Sequence, residues 1–218
     1  MLRLLALFAS LSAILSASAA DLIPLKLDLP KPLFVGTPRP LQVANLEPTP
    51  IGPRPAFMVP AGTVLLSKGK PVTASDSLPV IGELSYITDG EKSGVEGTYV
   101  ELGPGVQWVQ IDLGATAKLA AVVVWHFHSQ ARVYHGFVVQ TSNDPEFKKD
   151  ITTLYNADVD NLDGLGKGKD FSYVETYQGR IVDAKGAVAR YVRLYSNGNT
   201  SDELNHYTEV EVYGEPVK

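Results

Sequence analysis

Three stretches of this chain alternate apolar with polar residues over the length of one β-strand, and nowhere does a helical period persist for several turns. They are Gln107-Trp108-Val109-Gln110-Ile111-Asp112-Leu113-Gly114, Ala189-Arg190-Tyr191-Val192-Arg193-Leu194 and Glu209-Val210-Glu211-Val212-Tyr213-Gly214. A period of two sends successive side chains to opposite faces of a sheet. Val192 and Leu194 therefore share one face with Arg193 opposite, and Val210 and Val212 face a core while Glu209 and Glu211 face away. Phe137 to Ser142 alternates in the same way, whereas Leu119 to Trp125 is almost unbroken and apolar, as expected for a strand buried on both faces. Clusters of Gly, Pro, Asn and Asp separate these runs. An all-β sandwich follows from the pattern.

Before residue 63 the texture differs. Arg3, the apolar stretch Leu4 to Leu15 and the small-residue site Ala17-Ser18-Ala19 read as a secretory signal peptide over 1–20. That stretch is too short for a spanning helix, which needs roughly 20 apolar residues. The chain is thus expected to be secreted or extracytoplasmic, with no transmembrane segment. It has no cysteine, so no disulfide can staple it and no thiolate can serve as nucleophile or metal ligand. Its formal charge of -5 without a basic block excludes the phosphate neutralisation on which nucleic-acid binding rests.

Ten of the 15 prolines lie between Asp21 and Pro60. Proline removes a backbone donor and pushes its predecessor into extended geometry, so neither a helix nor an interior strand is expected there. Residues 21–62 read as a Pro-rich extended arm or linker. Leu22, Ile23, Leu25, Leu27, Leu29, Leu33, Phe34 and Val35 make it more apolar than a free spacer, so it either lies along the sandwich or docks on another protein.

The sandwich itself, residues 63–216, resembles the discoidin or coagulation-factor type C family, whose fold is the galactose-binding-like jelly roll. The resemblance covers roughly 63–214. It rests on Gly69-Lys70-Pro71-Val72-Thr73-Ala74-Ser75, Ile87-Thr88-Asp89-Gly90, the Trp-Val-Gln-Ile-Asp-Leu-Gly strand, Ser142-Asn143-Asp144-Pro145 and the two closing strand motifs, in that order. It implies a non-catalytic binding module, with carbohydrate or glycoconjugate as the expected partner. It also implies a structural calcium between the Asp-Gly loop and the last strand. Carried over, Asp89 and Glu209 would donate side-chain oxygens, with carbonyls near Glu91 and Thr208, and Thr98 less surely because Thr98-Tyr99-Val100 departs from the family's Thr-x-Trp. Hard oxygen donors of this kind suit calcium. The plainer reading is that Asp89 caps a turn and Glu209 is a solvated strand residue.

Two polar segments are candidate ligand contacts. The loop from Trp125 to His135 carries His126, His128, Arg132, Tyr134 and His135, and rings with imidazole and guanidinium donors suit sugar hydroxyls and apolar sugar faces. The same loop is open to reading as a transition-metal site or as a structural hydrogen-bonding cluster. Asn197, Asn199, Asn205 and His206 precede the last strand; amides there suit hydroxyl-rich ligands and also form ordinary turns. No nucleophile elbow and no paired-carboxylate motif is present, so the chain is not expected to be an enzyme. The alternative to sugar recognition is an adhesive module that binds a partner protein through the arm and a sandwich face.

Overall fold

The computed structural model describes residues 21–33, 41–49 and 51–217, so the expected signal peptide at 1–20 lies outside it. In chain order the strands are β1 (Leu22–Pro24), β2 (Met58–Pro60), β3 (Val64–Leu65), β4 (Val72–Ala74), β5 (Val100–Leu102), β6 (Val106–Trp125), β7 (Val138–Ser142), β8 (Thr152–Asn156), β9 (Arg180–Asp183), β10 (Val188–Asn197), β11 (Asn205–Tyr207) and β12 (Glu209–Pro216). A single 3₁₀ turn, Leu84–Thr88, is the one helical element among the described residues.

One long strand organises both layers. The first part of β6, around Val109 to Asp112, pairs with β4 on one side and β10 on the other, and β7 and β8 continue that layer. Its second part, from Ala117 to Trp125, pairs with β12 and β9, and β3 adds to β12. All these pairings are antiparallel. Between the two parts the strand turns a corner. Asp112 holds that corner: its carboxylate takes a two-pronged bond from Arg190 at 2.7 and 2.8 Å and accepts the Gly114 N–H at 2.8 Å. Gly114 has φ +84°, in the left-handed region where glycine carries no Cβ penalty. The Asp-Leu-Gly of the strand motif is therefore the hinge between two layers.

Inside, Val109, Ile111, Val122, Val124, Val192, Leu194, Val210 and Val212 form one continuous core. Each fully buried side chain of this size contributes roughly 1.5–3 kcal/mol. The alternation expected at Val192–Leu194 and Val210–Val212 is met.

On the outer face of the second layer, Ala121, Val123, Trp125 and Tyr213 form a separate cluster, and the arm covers it with Leu25, Leu27 and Phe57. The arm closes on itself first: β1 pairs with β2, and Leu25 N–H donates to Phe57 O at 2.8 Å. Prolines stand at the ends of both short strands, where a missing donor is tolerated. Leu119 to Trp125 is thus buried on both faces, as its composition predicts, because part of the arm lies on the sandwich. A second arm segment reaches residues 170–180: Glu47 N–H donates to Ser172 O, Asn45 Nδ2 to Asp170 O, and Arg180 pairs with Glu47 at 2.7 Å.

Candidate functional site

After Trp125 the chain leaves β6, and the histidines that follow part company. His126 is fully buried, with Nδ1 2.7 Å from Glu175 Oε1. Its ring stacks on Tyr134 at 4.3 Å and meets Phe137 and Tyr207 at 5.0 and 4.8 Å. His128, also buried, uses Nε2 against the Lys92 carbonyl at 2.8 Å and packs on Gly94. The two side chains therefore do not chelate one ion. Tyr134 is buried and bridges by its backbone to Asn199. His135 is exposed and set apart, its backbone paired with Asn197 and Gly198.

The last-strand segment supplies the other half of the cluster. His206 is buried, its Nε2 3.0 Å from Glu101 Oε2, and it lies beside the rings of Tyr99, Phe127 and Tyr134. Burial first, then the Arg132 charge, lowers the His206 imidazole to about 4, while burial and Asp202 raise the Glu101 carboxyl. Arg132 is buried with its guanidinium 4.5 Å over the Phe127 ring, 3.4 Å from Asp202 and 3.4 Å from Gln130. Asn199 and Asn205 build the loop: Asn199 Nδ2 donates to Asp202 and to the Leu204 carbonyl, and Asn205 Nδ2 to the carbonyls of Gly103 and Gly105. Asn197 donates to Asp163 at 2.8 Å.

His126, Arg132, Tyr134, Asn199 and His206 are thus brought together, and all five are buried. They support a surface more than they present one. What that end of the sandwich exposes, wholly or in part, is Tyr99, Phe127, Gln130 and Asp202. Tyr99 and Phe127 meet edge to face at 5.1 Å, a favourable geometry for aromatic pairs. Phe127 lies in the loop that the sequence singles out, whereas Tyr99 was not legible with it because it comes from a separate loop 28 positions away.

The Asp-Gly loop folds over the start of β12. Gly90 N–H donates to Glu209 Oε2 at 2.9 Å. Glu209 is 1% exposed and Glu211 3%, so neither is the solvated strand residue that plain alternation allows. Glu211 pairs with Lys92 at 2.5 Å and accepts the Tyr213 hydroxyl. Burial above all, with Glu211 and Asp89 adding like charge, raises the Glu209 carboxyl to about 9. Asp89 is exposed and accepts the Glu91 N–H, Glu91 accepts the Ser93 N–H, and Thr98 Oγ1 donates to the Val95 carbonyl. Thr208 is buried, with Oγ1 on the His126 carbonyl. Among the described residues no group of three or more His, Cys, Asp or Glu side chains gathers as a metal set. Asp89 and Glu209 are the two carboxylates named for this junction, and burial with neighbouring like charge disfavours the ionised form of Glu209.

No family model matches the chain, and no curated protein matches it. Solved structures do. A family 89 glycoside hydrolase from Clostridium perfringens superposes with a TM-score of 0.53 at 19% identity, over 71% of this chain and 15% of that one. The carbohydrate-binding module CBM32 of AlyQ, solved with 4,5-unsaturated mannuronic acid, gives a TM-score of 0.48 at 23% identity over 65% and 92% of the two chains. The lectin domain of lectinolysin, solved with Lewis B antigen, gives 0.48 at 18% identity over 67% and 94%. This chain spans a small fraction of the hydrolase. The likeness is one of fold, that of an antiparallel β-sandwich.

Proposed function

We propose that this chain is an exported, non-catalytic carbohydrate-binding module whose sugar contacts lie at the Tyr99–Phe127 end of the sandwich. The half-exposed ring pair carries the reading. Its faces suit the apolar side of a pyranose, while Gln130 and Asp202 beside it offer a donor and acceptors for hydroxyls. His126, Arg132, Tyr134 and His206 act beneath as a fixed base, so the surface is organised before a ligand arrives. The resemblance drawn from the sequence points to the same ligand class. None of the helices among the described residues is long and apolar enough to cross a membrane.

Binding through one ring pair is weak, and attachment to a partner or multimerisation would supply avidity. Phe127→Ala costs about 1–2 kcal/mol of binding, roughly five- to thirty-fold in affinity. Gln130→Ala, at an exposed position, weakens binding without changing the melting temperature. Both are read by titration against the best ligand from a glycan array. Silence of the native protein across broad glycan and polysaccharide panels in calcium sinks the proposal.

Calcium belongs to the same proposal as a structural ion held by Asp89, Glu209 and nearby carbonyls. It would replace the proton on Glu209 and fix the Asp-Gly loop to the last strand. The expected result is a melting temperature that rises with calcium over EDTA in the native protein and does not respond in Glu209→Gln.

A further inference from the structure

The arm does more than cover the second layer. Between its residues 41–49 and 51–55 and residues 173–181 lies a cleft of about 890 Å3, lined by Glu47, Arg54, Tyr173, Thr176, Gln178 and Ile181 among others. That volume lies in the range of ligand pockets, roughly 300–1,000 Å3. The wall formed by 177–179 is rigid. Trp125 Nε1 donates to the Tyr177 carbonyl at 2.9 Å, and a Cβ on Gly179 would sit 2.6 Å from the indole.

Two guanidinium groups meet here, and they are not equivalent. Arg180 is occupied: it pairs with Glu47 at 2.7 Å, donates to the Tyr155 hydroxyl at 3.0 Å, and lies 4.6 Å over the Tyr173 ring. Arg54 is half-buried and makes one hydrogen bond, from Nη1 to the Gly179 carbonyl at 2.7 Å. No carboxylate pairs with it among the described residues. The cleft's charged lining is therefore Arg54, Arg180 and Glu47, a surplus of one positive charge in a protein whose net charge is -5. Burial first, and then like charge from Arg180, lowers the Arg54 guanidinium, and a bound anion would offset both.

We propose that this cleft is a second ligand site, selective for saccharides that bear a carboxylate, with Arg54 as the anchor. A carboxylate matches the guanidinium fork by two parallel hydrogen bonds. Thr176 and Gln178 stand on the same wall to meet hydroxyls, and Pro53, Pro55 and Ile181 offer apolar faces for a sugar ring. The saccharide class rests on the function proposed above. The carboxylate requirement rests on Arg54 alone. The arm wall of the site lies outside the stretch that resembles discoidin domains, while the opposite wall, from Tyr173 to Ile181, lies within it.

The test is titration of the full mature chain with oligogalacturonate and with its carboxyl-reduced, neutral counterpart. Carboxylate-dependent binding is expected in the native protein. Arg54→Ala should weaken it by about tenfold or more, and Arg54→Lys should lie between, since a lysine keeps the charge but loses the fork. Gln130→Ala, at the other site, should leave it unchanged. Neutral-sugar binding that survives Arg54→Ala and falls in Gln130→Ala separates the two sites. Equal affinity for the acidic and neutral oligomers, an unchanged affinity in Arg54→Ala, or no binding of oligogalacturonate at all overturns the proposal. If both oligomers bind equally through Gln130, the sugar reading stands while the carboxylate site falls.

Discussion

Single residues carry two sharp consequences. Gly179 has φ +64° and faces the Trp125 indole at a distance no Cβ tolerates. Gly179→Ala therefore meets both backbone strain and a steric block, and is expected to cost about 2–4 kcal/mol in denaturant unfolding. Glu209 gives the second. Its carboxyl is held up to about 9, chiefly by burial, against an ordinary value of about 4.3. Between those values the folded protein holds a proton that the unfolded chain has lost. The stability it brings is full below about pH 4.3 and declines as pH rises toward 9. In EDTA the melting temperature should fall across that window, and Glu209→Gln should flatten the slope. At this scale the sequence misled in one respect: alternation placed Glu209 and Glu211 opposite the core correctly, yet it could not reveal that loop residues Gly90 and Lys92 would bury them.

At the scale of elements, strand existence was legible and cover was not. Val192, Leu194, Val210 and Val212 follow the period of two because one face meets the other layer. Leu119 to Trp125 broke that period, and its composition announced burial on both sides without naming what lies outside. The arm does, through Leu25, Leu27 and Phe57, so this part of the Pro-rich stretch is not a free spacer. Its prolines exclude long strands but allow three-residue β1 and β2. Phe57→Ala should cost about 1–2 kcal/mol for a partly buried ring, measured by chemical unfolding. Deleting 21–60 should uncover Trp125 and move its fluorescence to the red. The loop after Trp125 was legible as polar and aromatic, but spacing alone placed His126 and His128 on one side. Once the strand ends at Trp125 the period of two no longer holds. His126 turns toward Glu175 and His128 toward Lys92, partners 49 and 36 positions away.

For the whole molecule, the order of motifs along the chain read out the architecture, since each belongs to a strand or loop of one sandwich. The candidate sugar surface was half legible: the buried residues beneath it were found, and the pairing of the rings above it was not. Tyr99, just before β5, and Phe127, just after β6, converge from different loops and leave no periodic trace. The two proposed ligand sites share the 126–135 segment, because Ala131 lines the arm cleft while Arg132 supports the Phe127 surface.

The corner at Gly114 bears on how the protein comes apart. A sandwich whose layers are separate ribbons can lose one and keep the other, but here a single strand is threaded through both. Neither layer has an edge at which to peel from its neighbour without breaking β6 itself. Melting should then be all-or-none, with calorimetric and van't Hoff enthalpies equal. A circular permutant opened between Gly114 and Ala115 should lose that cooperativity, whereas one opened in the exposed 159–162 loop should keep it.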